Sequence, residues 1–198
     1  MCVTGVEGVV VEEYSPVGEL NRLWEFDREQ REFYAGRFEM RPFGEDSGIV
    51  SWAEDDEFLR RLPCFASGNS SGSLLAVWRH DDLDPAQWPV VAFGDEGGFG
   101  LVAADTVSFL RLLGADADLH VEPGRDDYPD SAWYDNDDDL RPTPGSERYV
   151  AWLATEFGLE PGDPDEIVDT AVEHWGDALH DWLETYLPNF DRREPETD

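Results

Sequence analysis

In residues 89–103, PVVAFGDEGGFGLVA, two apolar runs flank a glycine-rich turn. Short apolar runs separated by a turn are typical of two paired β-strands. Glycine adopts backbone angles that other residues avoid, so we expect the glycines to shape this turn. The sequence therefore predicts a β-hairpin near the middle of the chain.

The residues before this hairpin predict a helix and two more strands. Ser51-Trp52-Ala53-Glu54 has the spacing of a capping box, which starts a helix that Pro63 would end. Cys64–Ser67 and Ser73–Trp78 are apolar runs on either side of the turn 68–72. A turn between two such runs indicates a second antiparallel strand pair.

Three helices are predicted after the hairpin. Asp105 caps the first, and Gly114 would end it in the left-handed conformation. Ser146–Phe157 forms the second, and the third runs over 164–187 behind an Asp163 cap. The predicted fold class is α+β: a twisted, mostly antiparallel sheet with helices packed against it, and a C-terminal helical pair.

We predict a single domain in five segments. Residues 1–50 are an N-terminal strand and helix segment of that domain, in which Val3–Glu13 forms the strand. Residues 51–121 are the central α+β core, and 122–145 form a long acidic loop with aromatic residues. The helical pair covers 146–187, and 188–198 are a frayed acidic tail.

The charge of the chain restricts its partners. The 198 residues include 46 Asp and Glu against 14 basic residues, a net charge of -32, and all of the basic residues are arginine. Without lysine the chain has no Walker-type phosphate loop and no Schiff base to pyridoxal phosphate. A charge of this sign repels nucleic acids and anionic lipids but attracts basic proteins. The alternative is that the acidity serves solubility or a halophilic habitat.

Localisation is predicted from what the sequence lacks. No secretion signal and no apolar run of membrane-spanning length are visible. The two cysteines, Cys2 and Cys64, are too few for a disulfide framework. We therefore predict a cytoplasmic protein with both cysteines reduced.

Motifs with catalytic or metal-binding spacing all lack an essential part. Gly68–Gly72 has nucleophile-elbow spacing, but a strand follows where a helix is needed. Gly98–Ala103 fits a loose dinucleotide fingerprint, but acidic residues precede it and the helix begins too late. His80-Asp81 lacks the earlier histidine of a phosphohydrolase site, and His174 and His180 are six residues apart rather than four. We predict no catalytic residue, no metal site and no cofactor.

The acidic loop is interpreted as a contact surface for a basic partner. Asp135, Asp137 and Asp139 have the opening spacing of a calcium loop, but Ser146 stands where the bidentate Glu belongs, which leaves only loose cation binding open. Aromatic residues among carboxylates suit an interface with an arginine-rich or lysine-rich protein. The alternative is a solvated loop.

Several segments resemble one known family. They are Leu62–Ala66, Gly72–Arg79, Pro89–Gly98, Phe109–Leu113, Tyr149–Leu153 and Phe157–Leu159. Together they resemble the Smi/Knr-type family of the SUKH superfamily, over about Ser51 to Leu187. The resemblance implies an α+β fold and a bacterial immunity protein that neutralises a toxin of a polymorphic toxin system. It also implies that the toxin is basic, since many toxins of this group are nucleases.

From charge and resemblance together we predict a non-catalytic protein that occludes a basic toxin with an acidic face. The predicted partner-binding residues are Asp81, Asp82, Asp84, Asp95, Glu96, Asp126, Asp127, Tyr128, Trp133, Tyr134, Asp135, Asp137, Asp138 and Asp139. The alternatives are a regulatory or scaffolding protein of the same superfamily, or an enzyme. The sequence does not indicate the oligomeric state.

Overall fold

The computed structural model describes residues 13–45, 48–95, 98–121, 133–135 and 142–187. The predicted tail 188–198 and all but the last residue of the predicted strand Val3–Glu13 lie outside these ranges. The helices and strands, in chain order, are α1 Gly18–Asp27, β1 Glu39–Met40, α2 Asp56–Arg61, β2 Cys64–Ser67, β3 Leu74–Val77, β4 Val90–Phe93, β5 Phe99–Ala103, α3 Thr106–Leu113, β6 Asp118–His120, β7 Trp133–Asp135, α4 Ser146–Phe157 and α5 Pro164–Tyr186. Short 3₁₀ helices cover Ile49–Ser51 and Pro85–Gln87.

Among the described residues, the main sheet has five strands in the order β1-β2-β3-β4-β5, and each pairs with its neighbours in antiparallel fashion. The β4–β5 hairpin predicted from residues 89–103 is present, with Phe93 opposite Phe99. In the β3–β4 pair, Leu74 lies opposite Phe93 and Val77 opposite Val90. The predicted α+β class with an antiparallel sheet is confirmed.

Helices cover both faces of this sheet. Leu75 and Val77 of β3 belong to a core cluster that includes buried side chains of α1, α3 and α4. Leu74 and Ala76 of the same strand belong to a second cluster, built with α2 and α5. Burial on both faces explains why β3, β4 and β5 read as continuous apolar runs rather than alternating ones.

The two C-terminal helices begin and end close to where their sequence signals predict. Asp163 accepts a hydrogen bond from the Glu166 amide at 3.2 Å and caps α5, which runs to Tyr186 without a break at Gly176. Gly158 ends α4 in the left-handed conformation, with φ of 67°. The predicted C-terminal helical pair is therefore confirmed.

The start of α2 differs from the prediction. Ser51 does not cap this helix, because it ends the 3₁₀ turn and its hydroxyl donates to the Gly48 carbonyl oxygen at 2.7 Å. Asp55 is the cap instead, and its carboxylate accepts from the amides of Glu57 and Phe58 at 2.9 and 3.0 Å. The capping-box prediction was wrong, since a carboxylate four residues further on satisfies the free amides of the first turn.

The end of α3 also differs. Gly114 keeps right-handed helical angles, with φ of -68°, and Asp116 adopts the left-handed conformation instead, with φ of 56°. The Asp116 carboxylate accepts hydrogen bonds from the Gly36 amide at 2.8 Å and the Thr143 amide at 2.6 Å. These long-range bonds hold a backbone conformation that Asp tolerates better than most residues.

The predicted loop 122–145 contains a strand. Trp133–Asp135 form β7, which pairs antiparallel with β6 in a separate two-stranded sheet. The sequence-based interpretation of these three residues as loop was therefore wrong. Pairing with β6 was not visible in the sequence, because more than ten residues separate the two short strands.

Candidate partner-binding surfaces

Asp81, the first predicted partner-binding residue, lies among three arginines. Its carboxylate oxygens are 3.4 Å from Arg60 Nη1, 3.1 Å from Arg61 Nη2 and 3.3 Å from Arg79 Nε. The hydrogen bond from Arg60 and the charges of Arg61 and Arg79 lower the pKa of the Asp81 carboxyl. Glu57 accepts from Arg60 and Arg61 as well, at 2.7 and 2.9 Å. The arginines therefore offset the negative charge at this position.

Asp82 and Asp84 share the β3–β4 connection with Asp81. Asp84 accepts a hydrogen bond from the Ala86 amide at 3.0 Å and so caps the 3₁₀ helix 85–87. Asp82 is exposed. Because this connection joins Val77 to Val90, all three residues lie at one end of the main sheet.

Asp95 lies at the opposite end of the sheet, directly after β4. Its Oδ1 accepts hydrogen bonds from the hydroxyls of Ser71 at 2.9 Å and Ser73 at 3.2 Å. Both serines belong to the β2–β3 turn, which Asn69 organises by accepting from the Gly72 and Ser73 amides. The carboxylate of Asp95 therefore joins the β2–β3 turn to the beginning of the β4–β5 turn.

The small sheet of β6 and β7 is attached at the same end. Asn69 Nδ2 donates to the Leu119 carbonyl oxygen at 3.0 Å. A Cβ at Gly94 would lie 2.8 Å from the Val121 carbonyl oxygen, so Gly94 is required by this close approach. Its φ is not positive, and the expectation of an unusual backbone angle was wrong at Gly94. Since β7 pairs with β6, the predicted residues 133–135 lie at the same end as Asp95.

The structure thus divides the predicted residues into two groups rather than placing them on one face. Asp81, Asp82 and Asp84 are at one end of the main sheet, and Asp95 with strand β7 is at the other. The remaining predicted residues lie outside the described ranges: Glu96, Asp126, Asp127, Tyr128, Asp137, Asp138 and Asp139. Partner contact by either group stays a prediction.

A groove of about 440 Å³ opens beside Asp95. Its apolar wall is formed by Trp52, Leu74 and Phe93, and Ser51, Gly72 and Asp95 also line it. The Trp52 and Phe93 rings meet edge to face, with centroids 5.3 Å apart. The groove therefore combines an aromatic wall with a carboxylate.

Helix α5 carries an acidic surface that the sequence analysis missed. Its seven acidic residues are Asp165, Glu166, Asp169, Glu173, Asp177, Asp181 and Glu184, all exposed, and the helix contains no arginine. Five of them, starting at Asp165, recur at every fourth position, so successive members are neighbours on the helix surface and form a slowly winding row over about 24 Å. We call these five residues the α5 acidic stripe. The four-residue spacing was the available signal.

No described arginine forms an ion pair with this acidic surface. In the part of the chain that the structure describes, the arginine ion pairs involve only Glu25, Glu57, Asp81 and Glu156. His180, buried on the inner side of α5, approaches Glu184 at 3.3 Å and Asp181 at 3.8 Å. The stripe therefore presents a field that attracts cations and basic proteins.

The His180, Asp181 and Glu184 side chains are also the one group with metal-ligand spacing within the described ranges. Their ligand atoms lie within 4.8 Å of one another. The two carboxylates approach different ring nitrogens, Nδ1 and Nε2. A metal ion binds one nitrogen of an imidazole ring, so the two carboxylates do not converge on one ion beside His180, and the arrangement is that of local contacts on one helix.

Comparisons with protein-family models, with curated proteins and with solved structures find no match to this chain. Among the described residues, no helix is both long enough and apolar enough to cross a membrane.

Proposed function

We propose that this protein is a non-catalytic, cytoplasmic binding protein that neutralises a basic protein toxin by covering the toxin's working surface. The observation that carries the proposal is the α5 acidic stripe, whose carboxylates have no arginine partners in the described structure. Like charges four residues apart destabilise a helix, and the binding of a basic molecule would relieve this repulsion. A basic partner would supply the missing positive charges.

The charge of the whole chain supports the same partner class. With 46 acidic residues against 14 basic ones, the long-range field speeds the approach of a basic protein and repels nucleic acid. Immunity proteins of the Smi/Knr type in the SUKH superfamily bind rather than catalyse, and membership of that superfamily forms part of the proposal.

The mechanism that we propose is occlusion. Carboxylates of the stripe would pair with Arg and Lys side chains that the toxin uses to hold an anionic substrate such as nucleic acid. The toxin could not then bind its substrate and this protein at the same time. Affinity would depend on ionic strength, because exposed charge pairs are screened by salt.

The test compares two variants of equal net charge. The stripe variant carries Asp169→Asn, Glu173→Gln, Asp177→Asn and Asp181→Asn. The control variant carries Glu13→Gln, Glu29→Gln, Glu32→Gln and Glu45→Gln, four exposed positions outside α5. Each tagged protein is used to capture partners from host lysate at low and at raised salt, and captured proteins are identified by mass spectrometry and assayed for nuclease or other toxic activity.

We expect wild type and the control variant to retain a basic protein that is lost at raised salt, and to inhibit its activity. The stripe variant should retain much less of it. Equal capture and inhibition by both variants would contradict the assignment of the stripe. Capture of several housekeeping proteins without toxic activity would favour the regulatory or scaffolding alternative.

A further inference from the structure

The groove beside Asp95 has the features of a receptor for one cationic side chain. It is open at Gly72, where an added Cβ would have no neighbour within 4 Å. Its apolar wall carries the half-buried Trp52 ring, which follows the 3₁₀ helix 49–51.

The carboxylate in the groove is held in place but not saturated. Ser71 and Ser73 both donate to Oδ1 of Asp95, whereas no described residue donates to Oδ2. Two hydrogen bonds to one oxygen restrict the rotation of the side chain before any ligand arrives. Arg22, Arg60, Arg61 and Arg79 make ion pairs elsewhere, and no described arginine pairs with Asp95.

The aromatic wall comes near to the carboxylate because the 48–52 segment lies against β3. A Cβ at Gly48 would overlap the end of the Leu74 side chain, so a larger residue here would displace that side chain. Leu74 in turn pairs with Phe93, two residues before Asp95. The sheet register therefore places Trp52 and Asp95 on the same groove.

We propose that the groove binds an arginine side chain of the protein partner. The planar guanidinium would stack on the Trp52 ring and donate hydrogen bonds to the Asp95 carboxylate. A guanidinium suits a site with an aromatic wall and a carboxylate better than an ammonium does, because it is flat, forked and less strongly hydrated. This proposal rests on the proposed function for the source of the arginine, but the site itself is tested separately.

The test uses two tripeptides, acetyl-Gly-Arg-Gly-amide and its citrulline counterpart, which has nearly the same shape without the charge. Each is titrated into the ¹⁵N-labelled full chain, and amide and indole resonances are followed by NMR. We expect saturable shifts at Ser51, Gly94, Asp95 and the Trp52 indole with the arginine peptide only. The Trp52 indole resonance is identified from the spectrum of Trp52→Tyr.

Variants distinguish binding of the arginine peptide in the groove from its general electrostatic attraction to an acidic protein. Asp95→Asn keeps an acceptor oxygen for the two serines, and we expect it to weaken arginine-peptide binding at least about fivefold. Asp177→Asn removes the same charge from the α5 acidic stripe, and its effect should stay within about twofold. Trp52→Tyr should retain most of the affinity, whereas Trp52→Leu should lose it. The dispersion of each spectrum checks that the variant is folded.

Three results would overturn the proposal: equal binding of the citrulline peptide, shifts that follow α5 instead of the groove, or equal weakening by Asp95→Asn and Asp177→Asn. None of these depends on the toxin. If toxin capture fails while the arginine peptide binds, the proposed function is wrong but the groove is an arginine-binding site. If capture succeeds and the peptide does not bind the groove, the proposed function stands and the groove proposal is wrong.

Discussion

Asn69 donates a hydrogen bond from Nδ2 to the carbonyl oxygen of Leu119 at 3.0 Å, and this bond ties the β2–β3 turn to the small sheet. The same side chain accepts from the amides of Gly72 and Ser73. We expect Asn69→Ala to lower the free energy of unfolding by about 2 kcal/mol, because it leaves several half-buried polar groups without partners. Urea unfolding followed by tryptophan fluorescence measures the change.

A matched control is Ser71→Ala in the same turn. Ser71 is exposed, and its hydroxyl oxygen lies 3.0 Å from Asn69 Oδ1 and 2.9 Å from Asp95 Oδ1, in contacts that are open to solvent. Its removal should cost less than about 0.5 kcal/mol, since water replaces the lost partner. Hydrogen exchange at Leu119 should accelerate in Asn69→Ala and not in Ser71→Ala. Similar losses in both variants would mean that Asn69 acts only within its own turn.

Tyr149 connects α4 to α3. Its side chain is fully buried, and its hydroxyl donates to the Leu110 carbonyl oxygen at 2.9 Å. We expect Tyr149→Phe to lower the free energy of unfolding by about 1 to 2 kcal/mol, because the ring contacts remain and only the hydrogen bond is lost. Differential scanning calorimetry would record a lower Tm. An unchanged Tm would show that the buried bond contributes nothing net.

The main sheet and the C-terminal helices α4 and α5 could be predicted because the sequence patterns that specify them are local. An apolar run on each side of a short turn specifies β4 and β5, and the Asp163 cap with a proline after it specifies the start of α5. The capping box at Ser51 failed for a local reason too, since Asp55 competes for the same role.

The features that sequence analysis missed depend on contacts between distant residues. The left-handed conformation of Asp116 is held by hydrogen bonds that its carboxylate accepts from amides 80 and 27 residues away in the chain. The groove forms because Gly48 and Trp52 lie beside Leu74 of β3, which no periodicity indicates. Asp81 looked like a free carboxylate, but two of its three arginine partners come from α2. The α5 acidic stripe is different, because its four-residue spacing was present in the sequence.

His80 predicts a dependence of stability on pH. Its ring lies against Trp78 and Trp175, with centroids 4.2 and 5.1 Å away. Burial, together with the charge of Arg61, lowers the pKa of this histidine in the folded protein. The unfolded chain therefore binds the proton more tightly, so stability falls as the pH drops through the unfolded pKa of about 6.5.

The measurement for His80 compares urea unfolding at several pH values between about 5 and 8 in wild type and His80→Phe. We expect the phenylalanine variant to lose less stability at the acidic end, because a phenylalanine ring binds no proton in the unfolded chain. His174→Gln, on the exposed side of α5, is the control for changing a histidine. The same slope in His80→Phe and wild type would refute this account.

The α5 acidic stripe predicts that one substitution stabilises the fold while it weakens partner binding. Glu173 has Asp169 on the preceding turn and Asp177 on the following one, and no arginine of the described chain pairs with it. Glu173→Gln removes both repulsions and should raise the free energy of unfolding by about 0.5 kcal/mol at low ionic strength, and by less at raised salt. Glu45→Gln, exposed in a loop, should leave stability unchanged. If Glu173→Gln is neutral at low salt, the stripe carries no repulsion that a basic partner could relieve, and the main argument for its role in binding is lost.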